Sequence, residues 1–301
     1  MSLGSLLLKF REKFGNGLDT AYYRDIVRAR ILNTQPITKT DDDTCEIHVL
    51  TSSRDYVNLI WGLKSFYHYS QKQYALCIHC DKSISSEELS VISYHFPQAN
   101  VVPWDVATES VLDWLEDYPL CREIREKYYI SVKEFDFFFY LKSDKMLLFD
   151  SDLLFFESPQ HLINIIEDEN YNLNSVNGDI STAYSLPSDE LRKLVDFEII
   201  ERFNSGLGLV HKSSLSLDLF EEFLGLPGIL SHKWRFEQTL MALASCRQGA
   251  ELLPCEYDVY LGEDEERLMP MRHYVGAIRH LMYKEGMRYL TQNNFLKELA
   301  I

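Results

Sequence analysis

The sequence predicts an α/β fold with a mixed, mostly parallel central sheet and helices on both faces. Three observations lead there. From residue 45 onward, short apolar runs alternate with stretches of helical spacing, and strands alternating with helices build parallel sheets through crossover units. The 301-residue chain is 46% hydrophobic and 25% charged, a make-up that supports a packed core in one or two domains. Two of the predicted strands end in polar side chains, at Thr51–Ser53 and at Asp150–Asp152, where ligands of such sheets collect.

The elements follow in order. Residues 1–40 read as a helical arm: Leu6, Leu7, Phe10, Phe14, Ile26, Val27 and Ile31 recur at helical spacing, with Gly15 and Gly17 between two helices. Its bases, Lys9, Arg11, Lys13, Arg24, Arg28 and Arg30, outnumber Glu12, Asp19 and Asp25. The arm therefore either packs on the domain or meets an anionic membrane surface or acidic partner. A polar stretch, Thr38–Thr44, leads into the main domain, spanning 41–281. There the pattern gives a strand at Cys45–Thr51, a helix at Tyr56–Tyr69 and a strand at Tyr74–His79. A helix at Ser86–His95 follows, opening with Glu87 and Glu88, then strands at Asn100–Val102 and Lys145–Phe149. Residues 282–301 form a terminal helix that either packs on the domain or joins two copies in a homodimer.

Charge and cysteine usage exclude several classes. Thirty Lys plus Arg against 46 Asp plus Glu give a net charge of −16, which repels phosphate backbones and argues against nucleic-acid binding. The six cysteines, at 45, 77, 80, 121, 246 and 255, point to a reduced setting; Cys77 and Cys80 form a Cys-x2-Cys, but they sit in a strand pattern with no second pair at zinc spacing and read as buried structural thiols. With no signal peptide in the sequence, a cytoplasmic location is expected, or membrane association on the cytoplasmic face. No run reaches the roughly 18–20 apolar residues that span a bilayer. His48, His68, His79 and His95 read as structural residues, Phe135–Tyr140 as core or interface, and Asp258 with Glu263–Glu266 as a solvated acidic loop.

The strongest chemical signal is Met146-Leu-Leu-Phe-Asp150-Ser151-Asp152-Leu-Leu-Phe-Phe156. A hydrophobic strand delivers two carboxylates at i and i+2, which share a face in an extended chain. Such a pair repels by about one to a few kcal/mol at intermediate dielectric, and a divalent cation reverses the sign. Oxygen ligands suit Mg²⁺ or Mn²⁺. Downstream, Phe203-Asn204-Ser205-Gly206-Leu-Gly208 combines an amide able to hydrogen-bond sugar hydroxyls with glycines that admit close approach, and by itself reads equally as a turn leading into a strand. Glu237 and Gln238 open a helical run, and His273-x2-Gly276-x2-Arg279 offers an imidazole and a fixed cation.

In this order the motifs resemble the GT-A glycosyltransferases, most closely the family-8-like group of glycogenin and bacterial galactosyltransferases, over about Glu46 to Arg279. The resemblance implies a transferase that moves a hexose from a nucleotide sugar, with UDP as the expected carrier, to a glycan or other hydroxyl acceptor with retention. It implies that Leu50, Thr51, Ser53 and Tyr56 hold the nucleoside. Asp150, Asp152 and His273 would ligate Mn²⁺ or Mg²⁺, and Ser151, Ser205, Gly206, Gly276 and Arg279 would meet the donor. Asn204, Glu237 and Gln238 would surround the reacting sugar. Three departures stand out. Arg279 replaces a lysine and lacks the usual Pro-Trp after it, Glu237 replaces an aspartate, and Lys133, Lys142 and Lys145 compete for the basic place ahead of Asp-x-Asp. Two rival classes are a non-catalytic glycan-binding or scaffold protein and a sugar nucleotidyltransferase. The second ordinarily carries a glycine-rich phosphate loop, absent from Thr51-Ser-Ser-Arg-Asp.

Overall fold

The computed structural model describes residues 14–263 and 268–300. The first helix of the arm, with Leu6, Leu7, Phe10 and its lysines, and Asp264–Glu266 of the acidic loop lie outside those residues. The described strands are β1 (Asp42–Thr51), β2 (Tyr74–Cys80), β3 (Asn100–Val102), β4 (Lys145–Phe149), β5 (Leu153–Phe155), β6 (Asn174–Gly178), β7 (Phe203–His211), β8 (Ala250–Leu252) and β9 (Met271–His273). Seven of them form one sheet in the order β3-β2-β1-β4-β7-β6-β8. β1 runs parallel to β2 and β4, and β2 to β3, while β7 lies antiparallel between β4 and β6. A separate antiparallel ribbon pairs β5 with β9.

Period-two alternation splits the core into two layers. Ile47 and Val49 of β1, with Leu147 and Phe149 of β4, face one layer together with the Tyr56–Ser70 helix and the C-terminal segment. Met146 and Leu148 point the other way, toward the helices Phe135–Tyr140, Leu217–Leu224 and Phe236–Gln248. Each such side chain, taken fully out of water, contributes about 1.5–3 kcal/mol. The aromatic run expected as core or interface is core at Phe135 and Phe137.

The Tyr56–Ser70 helix is buried almost all round because it is covered on both sides, and even its Asn58, Lys64 and Ser65 lie inside. Its Gly62 lets β5 press against it: a Cβ there would stand 2.7 Å from the Leu153 carbonyl oxygen. Ser65 Oγ accepts the Phe155 N–H at 3.0 Å. On its outer side, Trp61 Nε1 donates to the Arg28 carbonyl at 2.9 Å, and the Trp61 ring lies 5.8 Å from Phe295. The arm's second half, beginning with the helix Leu18–Tyr22, and the terminal segment thus both pack on this helix, and the Gln35 N–H donates to the Leu299 carbonyl at 2.9 Å. One face of the arm stays bare, with Leu18, Tyr22 and Ile26 exposed. Among the described residues no helix is long and apolar enough to cross a membrane.

The helix Ser86–His95 starts on a capping box. Ser85 Oγ accepts the Glu88 N–H, and Glu88 Oε2 accepts the Ser85 N–H at 2.9 Å. His95 at its end is fully buried, and neither ring nitrogen has a hydrogen-bond partner among the described residues. Burial holds its pKa down at about 4. The unfolded chain therefore takes up a proton near pH 6.5 that the folded chain refuses until about pH 4. Stability should fall as pH drops through that window, by about 3 kcal/mol from this residue. Melting temperatures of the wild type and His95→Leu between pH 7 and 4 check it: the variant should show a shallower fall.

Candidate active site

The strand order reverses between β1 and β4. From β1 the chain steps outward to β2 and β3, then returns to lay β4 on the other side of β1. A crevice opens at such a switch point, beyond the carboxyl ends of the two strands. A cleft of about 330 Å³ sits there, lined by Leu50 and Thr51 from the end of β1 and by Asp150, Ser151 and Asp152 from the end of β4. Arg54, Asp55, Lys133 and Arg279 add charges to its walls.

Three elements hold the two aspartates. The Asp150 N–H donates to the Gly206 carbonyl of β7 at 2.7 Å, and the Tyr274 N–H donates to the Asp152 carbonyl at 2.9 Å. In the β5–β9 ribbon, Leu153 pairs with His273, so the imidazole arrives beside the residue preceding Leu153. His273 Nε2 stands 3.1 Å from Asp152 Oδ1 and 3.6 Å from Asp150 Oδ2. Ligand atoms of all three side chains lie within 4.8 Å of one another. Gly206 makes this packing feasible: a Cβ there would fall 2.1 Å from His273 Cε1. The oxygen–oxygen–imidazole donor set fits Mn²⁺ or Mg²⁺.

Two cations answer the carboxylates. Arg279 bridges Asp152 and Asp55, with its Nη1 2.6 Å from Asp55 Oδ1. Lys133 Nζ is 2.6 Å from Asp150 Oδ1 and 3.8 Å from Glu237 Oε1. Burial disfavours the charge on Asp152, but His273 and Arg279 outweigh it and hold the carboxyl at about 2. Burial likewise opposes charge on His273 and Lys133, yet the neighbouring carboxylates raise both above their ordinary values. Glu237, unlike Asp152, is raised, and burial is the main cause. Glu134 is raised well above the ordinary carboxyl range, being buried with neither oxygen hydrogen-bonded among the described residues.

The structure thus brings Leu50, Thr51, Asp150, Ser151, Asp152, His273, Gly206 and Arg279 into or against one cleft. Among the three competing lysines, Lys133 is the one at the cleft. Lys145 instead ties the carbonyls of Ile166 and Asp168, and Lys142 is exposed. Around the sugar side, Asn204 Oδ1 accepts the Gly206 N–H at 2.9 Å while its Nδ2 donates to Asp179 at 3.0 Å. The Ser205 carbonyl accepts from Lys133 at 3.4 Å, and Gln238 Nε2 donates to the Ala183 carbonyl at 3.4 Å. Of the expected donor contacts, Ser205 and Gly206 are not part of the cleft lining, and three others lie off it as well. Ser53 Oγ donates to Glu88 at 2.6 Å, because the turn after β1 faces the capping box. Tyr56 packs against the core, and Gly276 is exposed, with no atom within 4 Å of where a Cβ would stand. Sequence reasoning missed Asp55, Arg54, Asp81, Tyr129 and Ile130, which also line the cleft. Asp55 had a signal, as an acid just ahead of a helix.

No family model matches the chain, and no curated protein matches it. Solved structures do. Galactosyltransferase LgtC, solved with donor and acceptor sugar analogues, superposes with a TM-score of 0.55 at 13% identity, covering 85% of this chain and 96% of that one. The chain has the GT-A fold. Two further GT-A likenesses agree: mouse xyloside xylosyltransferase 1 has a TM-score of 0.50 at 11% identity, covering 81% of this chain and 99% of its own. The bifunctional glycosyltransferase WbbM has a TM-score of 0.51 at 13% identity, covering 87% of this chain and 53% of its own. The GT-A sheet expected from the sequence, mostly parallel with its acidic pair at a strand end, is the sheet observed.

Proposed function

We propose that the chain is a metal-dependent glycosyltransferase that moves a sugar from a nucleotide sugar, with UDP as the carrier, to a glycan or other hydroxyl acceptor with retention. The observation that carries this reading is the convergence of Asp150, Asp152, His273 and Arg279 on one cleft at the switch point of a GT-A sheet. Asp150, Asp152 and His273 would hold Mn²⁺ or Mg²⁺, which when bound supplies positive charge against a leaving nucleoside diphosphate.

The chain's own residues account for the rest. Arg279, shared between Asp55 and Asp152, can lend a planar, bidentate donor to a phosphate. Lys133 holds Asp150 in place and keeps positive charge near the acidic Glu237. Leu50 and Thr51, which line the cleft, would face the base and ribose, and Thr51 Oγ1 is buried without a partner among the described residues. Asn204, Glu237 and Gln238 would border the sugar, with Gln238 the residue to stabilise an oxocarbenium-like centre. Beside the cleft, exposed Tyr129 and Trp234 stand edge to face at 6.1 Å, an aromatic pair suited to an acceptor sugar. Six cysteines without a disulfide among them support a reducing, cytoplasmic setting. The bare Leu18–Tyr22–Ile26 face supports peripheral membrane contact through the arm.

A panel of nucleotide sugars, assayed for released nucleoside diphosphate with and without Mn²⁺, tests the proposal. Metal-dependent hydrolysis or transfer of at least one donor is expected. Donor binding without turnover across the panel would favour a non-catalytic glycan-binding protein.

A further inference from the structure

A second group of metal-capable side chains lies away from the cleft: His48, Cys77 and His79. Sequence spacing gives no hint of it, because the ligands come from two neighbouring strands. Cys77 and His79 are at i and i+2 of β2 and share a face. His48 of β1 is directly opposite Cys77 in the register. His79 Nε2 stands 3.1 Å from His48 Nδ1 and 3.3 Å from Cys77 Sγ. Tetrahedral zinc with ligands at about 2.0–2.3 Å sets their edges at roughly 3.3–3.7 Å. The two edges from His79 are close to that size, and all three ligand atoms lie within 4.8 Å of one another, so a small shift of side chains would seat the ion.

Hydrogen bonding alone serves this group poorly. A neutral ring nitrogen offers one proton or one lone pair, yet His79 Nε2 faces both a nitrogen and a sulfur. His48 Nε2 and His79 Nδ1 are buried with no hydrogen-bond partner among the described residues. All three residues are shut off from water, the two imidazoles under the rings of Phe137 and Tyr140. Behind His48, Glu46 Oε2 stands 3.7 Å from Nε2, pinned by the Lys142 N–H at 2.7 Å. A carboxylate on the far nitrogen of a ligating histidine is the usual outer support of a metal site. Asn100, opposite Cys77 in register, places its amide 3.5 Å from Sγ.

We infer that His48, Cys77 and His79 bind one Zn²⁺ through three protein ligands, with a water carried in by the ion in the fourth position, and so staple β1 to β2. Binding releases one proton, from the Cys77 thiol, and the sulfur–zinc bond takes its place. The charges then balance: two positive on the ion, one negative on the thiolate and one on Glu46. Arg125, a cation close enough to bear on His79, is neutralised by Asp136 at 2.8 Å. The staple sits on the strand that ends in Thr51, so it would stiffen one wall of the cleft without touching a substrate.

Co²⁺ is the probe, because a thiolate ligand adds a sulfur-to-metal charge-transfer band that the Asp150–Asp152–His273 set cannot give. Full-length protein, stripped by chelator and titrated with Co²⁺, should show that band at one equivalent. The band should persist in Asp152→Asn and Cys80→Ser and vanish in Cys77→Ser. After incubation with Zn²⁺ and desalting, Asp152→Asn should retain one zinc per chain by elemental analysis. No sulfur band in the wild type, a band that survives Cys77→Ser, or no zinc retained by Asp152→Asn would overturn the site. If Cys77→Ser fails to fold, the wild-type band and the zinc count still decide.

Discussion

Asp152→Asn is expected to lower sugar transfer by roughly 10³-fold or more, a loss of about 4 kcal/mol of transition-state stabilisation. Asp152 is almost fully buried and is contacted by both His273 and Arg279. The amide keeps the shape but loses the charge. Arg279 retains Asp55, so that cation still has a partner. The cost to folding should therefore stay small, about 1–3 kcal/mol for the weakened pairing. The check is a pair of readings on one preparation: turnover with saturating Mn²⁺ and donor, and the far-ultraviolet dichroism and melting temperature. Turnover within a few-fold of wild type would remove Asp152 from the chemistry.

Gly206→Ala should damage both stability and activity. Its Cβ would meet His273 Cε1 at 2.1 Å, His273 Nδ1 at 2.8 Å and Asn204 Oδ1 at 2.9 Å. Carbon atoms pack at about 3.5–4.0 Å, so the imidazole must move by about 1 Å or more. That breaks the 3.1 Å approach of Nε2 to Asp152. Overpacking of this kind costs about 1–3 kcal/mol, and a misplacement of this size costs about 10²-fold in rate. A methyl at Gly276 meets nothing within 4 Å, so Gly276→Ala should leave the melting temperature unchanged. Comparing the two variants for melting temperature and for the Mn²⁺ concentration at half-maximal turnover separates a packing effect from a general intolerance of alanine.

Much of this architecture was legible in the residues. The strands at Tyr74, Asn100 and Lys145 and the helix at Ser86 start where the apolar runs and the acids after Ser85 place them. Those signals are local: periodicity, a cap, a polar strand end. The Asp150–Asp152 pair was legible for the same reason, since i and i+2 of a strand share a face. What stayed hidden depends on long-range pairing. Period alone does not tell that β7 runs antiparallel between β4 and β6, nor that β9 pairs with β5 to carry His273 to Asp152. The choice of Lys133 over Lys142 and Lys145 rested on which helical turn faces β4. Ser53 stands off the cleft lining because the turn after β1 is drawn toward the Ser85–Glu88 cap, a contact across 35 residues that no local pattern announces. His48 and His79 looked like ordinary core residues until register set them side by side.

Whether two aspartates and an imidazole in the switch-point cleft grip a divalent cation against a nucleoside diphosphate is decided by calorimetric titration of UDP into the protein, with and without Mn²⁺. Binding should tighten at least tenfold with Mn²⁺ and lose that dependence in Asp152→Asn. Equal UDP affinity in the presence and absence of the metal, or a metal effect untouched by Asp152→Asn, would refute it.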